Sequence, residues 1–296
     1  MTSTAGADSG MARSERRTGT AADTVRQVVV LVTSVLAIVA AFLGSGAAGG
    51  TPIQDAAGGY LDADSTLIAP GRGAFAIWSV IYTGMFAYAI WQLLPRQRAE
   101  ERHRRMGYPI AASLVLNAVW IFVVQLDQLA LSLVVIVALL AVLAWIFVMT
   151  RRMPPRGAVD GVITDGSVGL YLGWVCVATA ANATAVLVAA GFDGWGIPAE
   201  TWAVVVIAVA SAVGVALAVW GHGRIAPMLS LCWGLAWVAI ARLTDEPASV
   251  VTGVAAIIGA VAVVIVTVGA RVADMRAGGA GRAARDEASE GETTPA

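Results

Sequence analysis

Apolar residues fill eight stretches of the chain, and polar residues collect between them. The runs lie at roughly 27–46, 74–94, 108–124, 129–149, 167–190, 200–220, 226–241 and 248–270. Crossing about 30 Å of hydrocarbon takes about 20 residues at 1.5 Å per residue. Two runs, 108–124 and 226–241, are short for this. Only Gln125 to Gln128 separate the third run from the fourth, which predicts a tight turn. The spans are predicted to be helices, because an open sheet would leave backbone N–H and C=O groups without partners in lipid. The first run has a signal peptide's flanks, with Arg26 in front and Gly46-Ala47-Ala48 behind. Its apolar stretch exceeds a signal's usual core, so an uncleaved first span is expected.

Charge sets the orientation. With eight spans, one side receives Arg13, Arg16, Arg17 and Arg26, then Arg96, Arg98, Arg102, Arg104 and Arg105. It also receives Arg151, Arg152 and Arg156, then Arg224, and finally Arg271, Arg276, Arg282 and Arg285. The other side keeps Arg72 and Arg242 alone. This asymmetry puts both termini on the cytoplasmic side. Merging or deleting a span would scramble it, so the count supports the span list too. The predicted fold class is therefore an all-α polytopic membrane bundle of about eight transmembrane helices. Residues 1–25 and 273–296 are polar and rich in small residues, the composition of disordered cytoplasmic tails. The loop from about Ala47 to Gly73 is the longest, and its length suits either a lid or a disordered connection.

Composition agrees. The chain is 58% hydrophobic and 13% charged, with a mean hydropathy of +0.77, against about 25% charged residues in soluble domains. Lys is absent, which points to a GC-rich genome and carries no mechanism. Cys176 and Cys232 sit inside apolar runs and suggest neither a disulfide framework nor a metal site. His103 and His222 fall in predicted loops. No ionisable residue lies well inside a predicted span, which argues against coupling through a buried carboxylate. No motif for nucleotide binding, metal-dependent hydrolysis or a serine nucleophile is present, so catalytic and metal residues are expected to be absent.

The spans are instead rich in tryptophan. Trp91, Trp195, Trp202 and Trp220 suit an aromatic belt at the interfaces. Trp78, Trp120, Trp174, Trp233 and Trp237 lie deeper, where indole supplies either packing or a flat pocket wall with one donor. Asn117 and Asn182 are amides at membrane depth, which either pair across helices or anchor a ligand. At 100° per residue, Ala178 and Asn182 lie within about 20° of the direction of Tyr171, with Trp174 about 60° to one side. Trp78, Tyr82 and Met85 share one stripe, as do Asn117 and Trp120. Gly169 and Gly173 form a GxxxG, which permits close helix approach.

These residues carry a family resemblance. The second span reads Pro70-x7-Trp78-x3-Tyr82-x2-Met85, the third Leu116-Asn117-x2-Trp120, and the fifth Tyr171-Leu172-x-Trp174-x3-Ala178-Thr179-x2-Asn182. In that order they resemble the TspO/MBR family, the tryptophan-rich sensory proteins related to the mitochondrial translocator protein. The likeness covers about residues 28–190. It implies a five-helix membrane bundle over 26–190, with three additional helices over 191–272. It also implies a pocket closed by the first loop, a tetrapyrrole or other hydrophobic small molecule as ligand, and no cofactor. The residues expected at the pocket are Trp78, Tyr82, Asn117, Trp120, Tyr171, Trp174, Ala178 and Asn182. Ile121-Phe122 stand where the family has prolines, and Ala183-Thr184-Ala185 lacks the animal cholesterol motif, so cholesterol binding is not implied. The expected location is the bacterial cytoplasmic membrane, as a multi-pass protein. The lipid bilayer is its partner, nucleic acid is not, and a homodimer is left open. A binding, sensing or transport protein is expected, not an enzyme. The rival readings are a permease without buried-carboxylate coupling and a porphyrin- or lipid-modifying enzyme.

Overall fold

Thr20 opens the first helix by a capping box: Asp23 N–H donates to its hydroxyl at 3.3 Å, and Thr20 N–H donates to the Asp23 carboxylate at 2.9 Å. From there the computed structural model describes residues 19–292, except 47, 50 and 54, with side chains as far as residue 277. Among the described residues eight helices are long and apolar enough to cross a membrane. Their α-helical parts are α1 Ala21–Gly44, α2 Ile77–Trp91, α3 Glu101–Gln125, α4 Leu129–Arg152, α5 Ser167–Ala189, α6 Ala199–Trp220, α7 Ile225–Thr244 and α8 Val250–Glu292; the spans containing α2, α5 and α8 run Arg72–Trp91, Ala158–Ala189 and Val250–Ala277. A 3-10 turn, Arg72–Ala76, leads into α2, and a π-helical turn, Gly161–Gly166, leads into α5.

Every predicted span is matched by one helix, and the differences lie at the ends. Residues 21–25, expected in the tail, form the first turn of α1. The third helix begins at Glu101, well before the apolar run, so His103 is a buried helical residue and not a loop residue. The last helix continues to Glu292, through most of the segment expected as a tail; Ala and Arg, frequent there, favour helix. Residues 1–18 and 293–296 lie outside the described residues.

Charge on a helix end is tolerated where it is paired, and the arginine-rich ends are paired. Arg104 donates twice to Asp23, at 2.8 and 2.7 Å, and joins α3 to α1. Arg102 binds Asp160 at 2.6 Å and also Asp165, while Arg224 reaches Asp165 at 3.0 Å. These ion pairs tie α3, the π turn and the α6–α7 connection together. The sequence placed no ionisable group well inside a span; the structure puts this network at the ends, where the helices outrun their apolar cores.

In the bundle α1 packs on α3, α3 on α4, α4 on α5, α5 on α7, α7 on α8 and α8 on α6, while α2 lies against α1 and α5. The Gly169/Gly173 pair forms the α5–α7 seam. A Cβ on Gly169 would lie 2.8 Å from that of Ala226, and one on Gly173 would overlap the Pro227 carbonyl oxygen. The first five helices and the last three therefore share a tight backbone contact.

Candidate functional site

Near the arginine-poor end, α2, α3, α4 and α5 enclose a cavity of about 50 Å³ roofed by the first loop. Trp78 stands at its centre. Its ring stacks on Tyr82 at 5.2 Å and meets Trp174 edge-on at 6.2 Å and Tyr171 at 5.8 Å. Phe75 approaches Trp174 edge-on at 6.1 Å. Such edge and offset contacts suit the aromatic quadrupole and hold the rings as a fixed wall.

Of the eight residues the sequence singles out, Trp78, Asn117, Trp120, Trp174, Ala178 and Asn182 line this cavity. Tyr82 lines a neighbouring cleft of about 480 Å³ between α1 and α2, which shares Phe75, Trp78, Asn117 and Trp120 with the cavity. Tyr171 lines neither. It sits behind Trp78, buried, and donates its hydroxyl to the Ser113 carbonyl at 3.2 Å.

The two amides behave differently. Asn117 donates to the Tyr82 hydroxyl at 2.5 Å and so fixes the tyrosine stacked on Trp78. Asn182 donates to the Ser132 hydroxyl at 3.0 Å and joins α5 to α4. The indole N–H groups of Trp120 and Trp174 are buried and have no hydrogen-bond partner among the described residues. A buried unpaired donor costs about 1–3 kcal/mol. Both of these indoles line the same small cavity.

The sequence reading did not pick out Phe75, one step inside the quoted second-span run, or Ile136 and Leu139, which α4 contributes to the wall. It named the first loop as the closure and Pro70 as part of the second-span motif, but not the roof residues Tyr60, Leu61, Thr66 and Ala69. An aromatic just ahead of Trp78 was a usable signal for Phe75; the loop had none beyond its length. The roof is tied down at its rim, where Arg72 donates to Asp62 at 2.9 Å and to Asp55 at 3.1 Å. The hydrogen bond from Arg72 holds the Asp62 carboxyl below the usual carboxylate range.

Eight apolar helices, four of which enclose an aromatic cavity beneath the first loop, define a polytopic membrane protein of the helical-bundle class. A family model described as TSPO-like protein matches residues 27–268, and the chain belongs to that family. The match runs past residue 190, where the motif resemblance ends, into α8. No curated protein and no solved structure matches the chain.

Proposed function

We propose that the chain binds a flat, hydrophobic small molecule that carries acceptor oxygens, of the tetrapyrrole class, and that it senses or transports this ligand across or within a bacterial cytoplasmic membrane. The observation that carries this reading is the pair of indole donors on Trp120 and Trp174, unpartnered among the described residues, in side chains that line one apolar cavity with Trp78. Aromatic faces receive a planar ring, and the N–H groups receive its carboxylate or carbonyl oxygens. Among the described residues, the lining carries no His and no acidic or basic side chain, which favours binding over acid–base chemistry. A cavity of about 50 Å³ holds only a few waters. The bulk of a tetrapyrrole therefore needs the adjoining cleft or a displaced roof.

The test is titration of the purified protein in detergent with protoporphyrin, read by quenching of tryptophan fluorescence. Saturable quenching at micromolar concentration, weakened at least about ten-fold in Asn117→Ala/Trp174→Ala, is expected; that factor corresponds to about 1.4 kcal/mol. Full-strength binding by the double variant would sink the site. Absence of binding by the wild-type protein would sink the ligand class, and uptake of another solute into proteoliposomes would then favour a permease.

A further inference from the structure

The first loop covers the cavity, but its fixings come from α7. Arg242 is fully buried near the arginine-poor end of that helix. It donates to the carbonyls of Ala63 at 2.6 Å and Thr66 at 3.3 Å, and to Pro247 at 2.9 Å. Two more bonds follow along the same helix. Gly71 N–H donates to the Trp237 carbonyl at 3.2 Å, and the Trp233 indole donates to the Ala74 carbonyl at 2.9 Å. The Trp237 ring occupies the space above Gly71 and Gly73: a Cβ on Gly71 would lie 3.0 Å from it, and one on Gly73 would overlap it. Arg242 has no ion pair among the described residues. Its two terminal guanidinium nitrogens donate to backbone carbonyls, a use that fixes chain position and not charge. Thr66, one of its acceptors, also lines the cavity.

We propose that the three additional helices brace the first loop shut, with Arg242 as the positioning residue. Opening the cavity to a bulky planar ligand breaks the bonds from Arg242 and Trp233. The brace regulates the site described under Proposed function and rests on that reading only for its ligand. It gives α6–α8 a role: α7 reaches the loop, α5 anchors α7 through the glycine seam, and α8 and α6 back it.

The experiment is hydrogen exchange, by mass spectrometry, of the full-length protein in detergent, comparing wild type with Arg242→Gln and Trp233→Phe. Losing two or three hydrogen bonds is expected to speed exchange of the 61–74 amides about ten-fold or more in Arg242→Gln, with α4 unchanged. Trp233→Phe, which keeps the ring and removes the donor, is expected to speed exchange locally around residues 74–78. Unchanged loop exchange in both variants overturns the brace. If Arg242→Gln loosens every helix, Trp233→Phe alone decides in the same way. In parallel, protoporphyrin is expected to associate faster with Arg242→Gln than with wild type. If it binds neither, the ligand reading fails while the exchange result still decides the brace.

Discussion

Gly173→Ala tests how α5 meets α7. Alanine is the better helix former by about 0.8–1.0 kcal/mol, so at an open helical position the change stabilises. At Gly173 the new methyl would overlap the Pro227 carbonyl oxygen and the Ser230 hydroxyl, and would lie 2.9 Å from the Pro227 carbonyl carbon. The hydroxyl can rotate away; the carbonyl belongs to the backbone of α7 and cannot. Restoring ordinary contact with that carbonyl oxygen at about 3.5–4.0 Å requires the helices to part by well over about 1 Å, and a gap of even about 0.5–1 Å forfeits a quarter to a half of each contact's dispersion energy. Forcing a methylene into a packed interior costs about 1–3 kcal/mol. Propensity offsets about one of these, which leaves a net loss of up to about 2 kcal/mol. The assay is thermal unfolding in detergent, read by a thiol-reactive dye on the free cysteines Cys176 and Cys232, the first of which lies one turn beyond Gly173. Gly269→Ala, on α8 with open space around it, is the control and should be neutral or stabilising by up to about 1 kcal/mol. A Gly173→Ala protein melting at or above wild type would refute the seam.

Three further outcomes are expected. Arg102→Ala removes the cation between buried Asp160 and Asp165 and should cost about 3–5 kcal/mol, seen as a collapse of monodisperse yield and melting temperature; Arg105→Ala, an exposed pair partner of Glu101, should shift neither. Ser132→Ala leaves the Asn182 amide without its partner and should cost more than the average of about 0.6 kcal/mol for such membrane hydrogen bonds, while adding Asn182→Leu should recover part of the loss in a double-mutant cycle. The Asp62–Arg72 contact contributes its support above the carboxyl's unfolded pKa of about 4 and loses it as pH falls through the lower folded value. Intrinsic-rate-corrected exchange of the roof amides should therefore be flat from about pH 5 to 8 and rise only in stronger acid, and a rise near neutrality would count against the pair as a roof fixing.

The spans were legible because bilayer thickness fixes run length, and the arginine asymmetry leaves one way to string them. Helix starts were less so. Glu101, Arg102 and His103 read as loop by polarity, yet Asp160 and Asp165 satisfy Arg102 from another part of the chain, a pairing that no local pattern reveals. The family resemblance alone brought Trp78 and the fifth span to one space; helical periodicity put Ala178, Asn182 and, about 60° to one side, Trp174 near the direction of Tyr171. It gives a direction and not a depth, which is why Tyr171 shares that face and still lies a layer behind Trp78. Trp233 and Trp237 stood out as deep tryptophans too, but their partners are a backbone carbonyl and glycines at the end of the first loop, whose conformation has no period to read.

The Trp120 and Trp174 indole donors, unpartnered among the described residues, are proposed to receive the ligand's acceptors. The most direct measurement is equilibrium binding of protoporphyrin to the Trp120→Phe/Trp174→Phe protein, read from the porphyrin's own absorbance shift. The variant keeps both aromatic faces and removes both N–H groups. Hydrogen bonds to a charged acceptor are worth about 1.5–3 kcal/mol each, so affinity should fall at least about ten-fold, while protoporphyrin dimethyl ester, a weaker acceptor, should lose less. Equal affinity of wild type and variant for protoporphyrin would contradict the account.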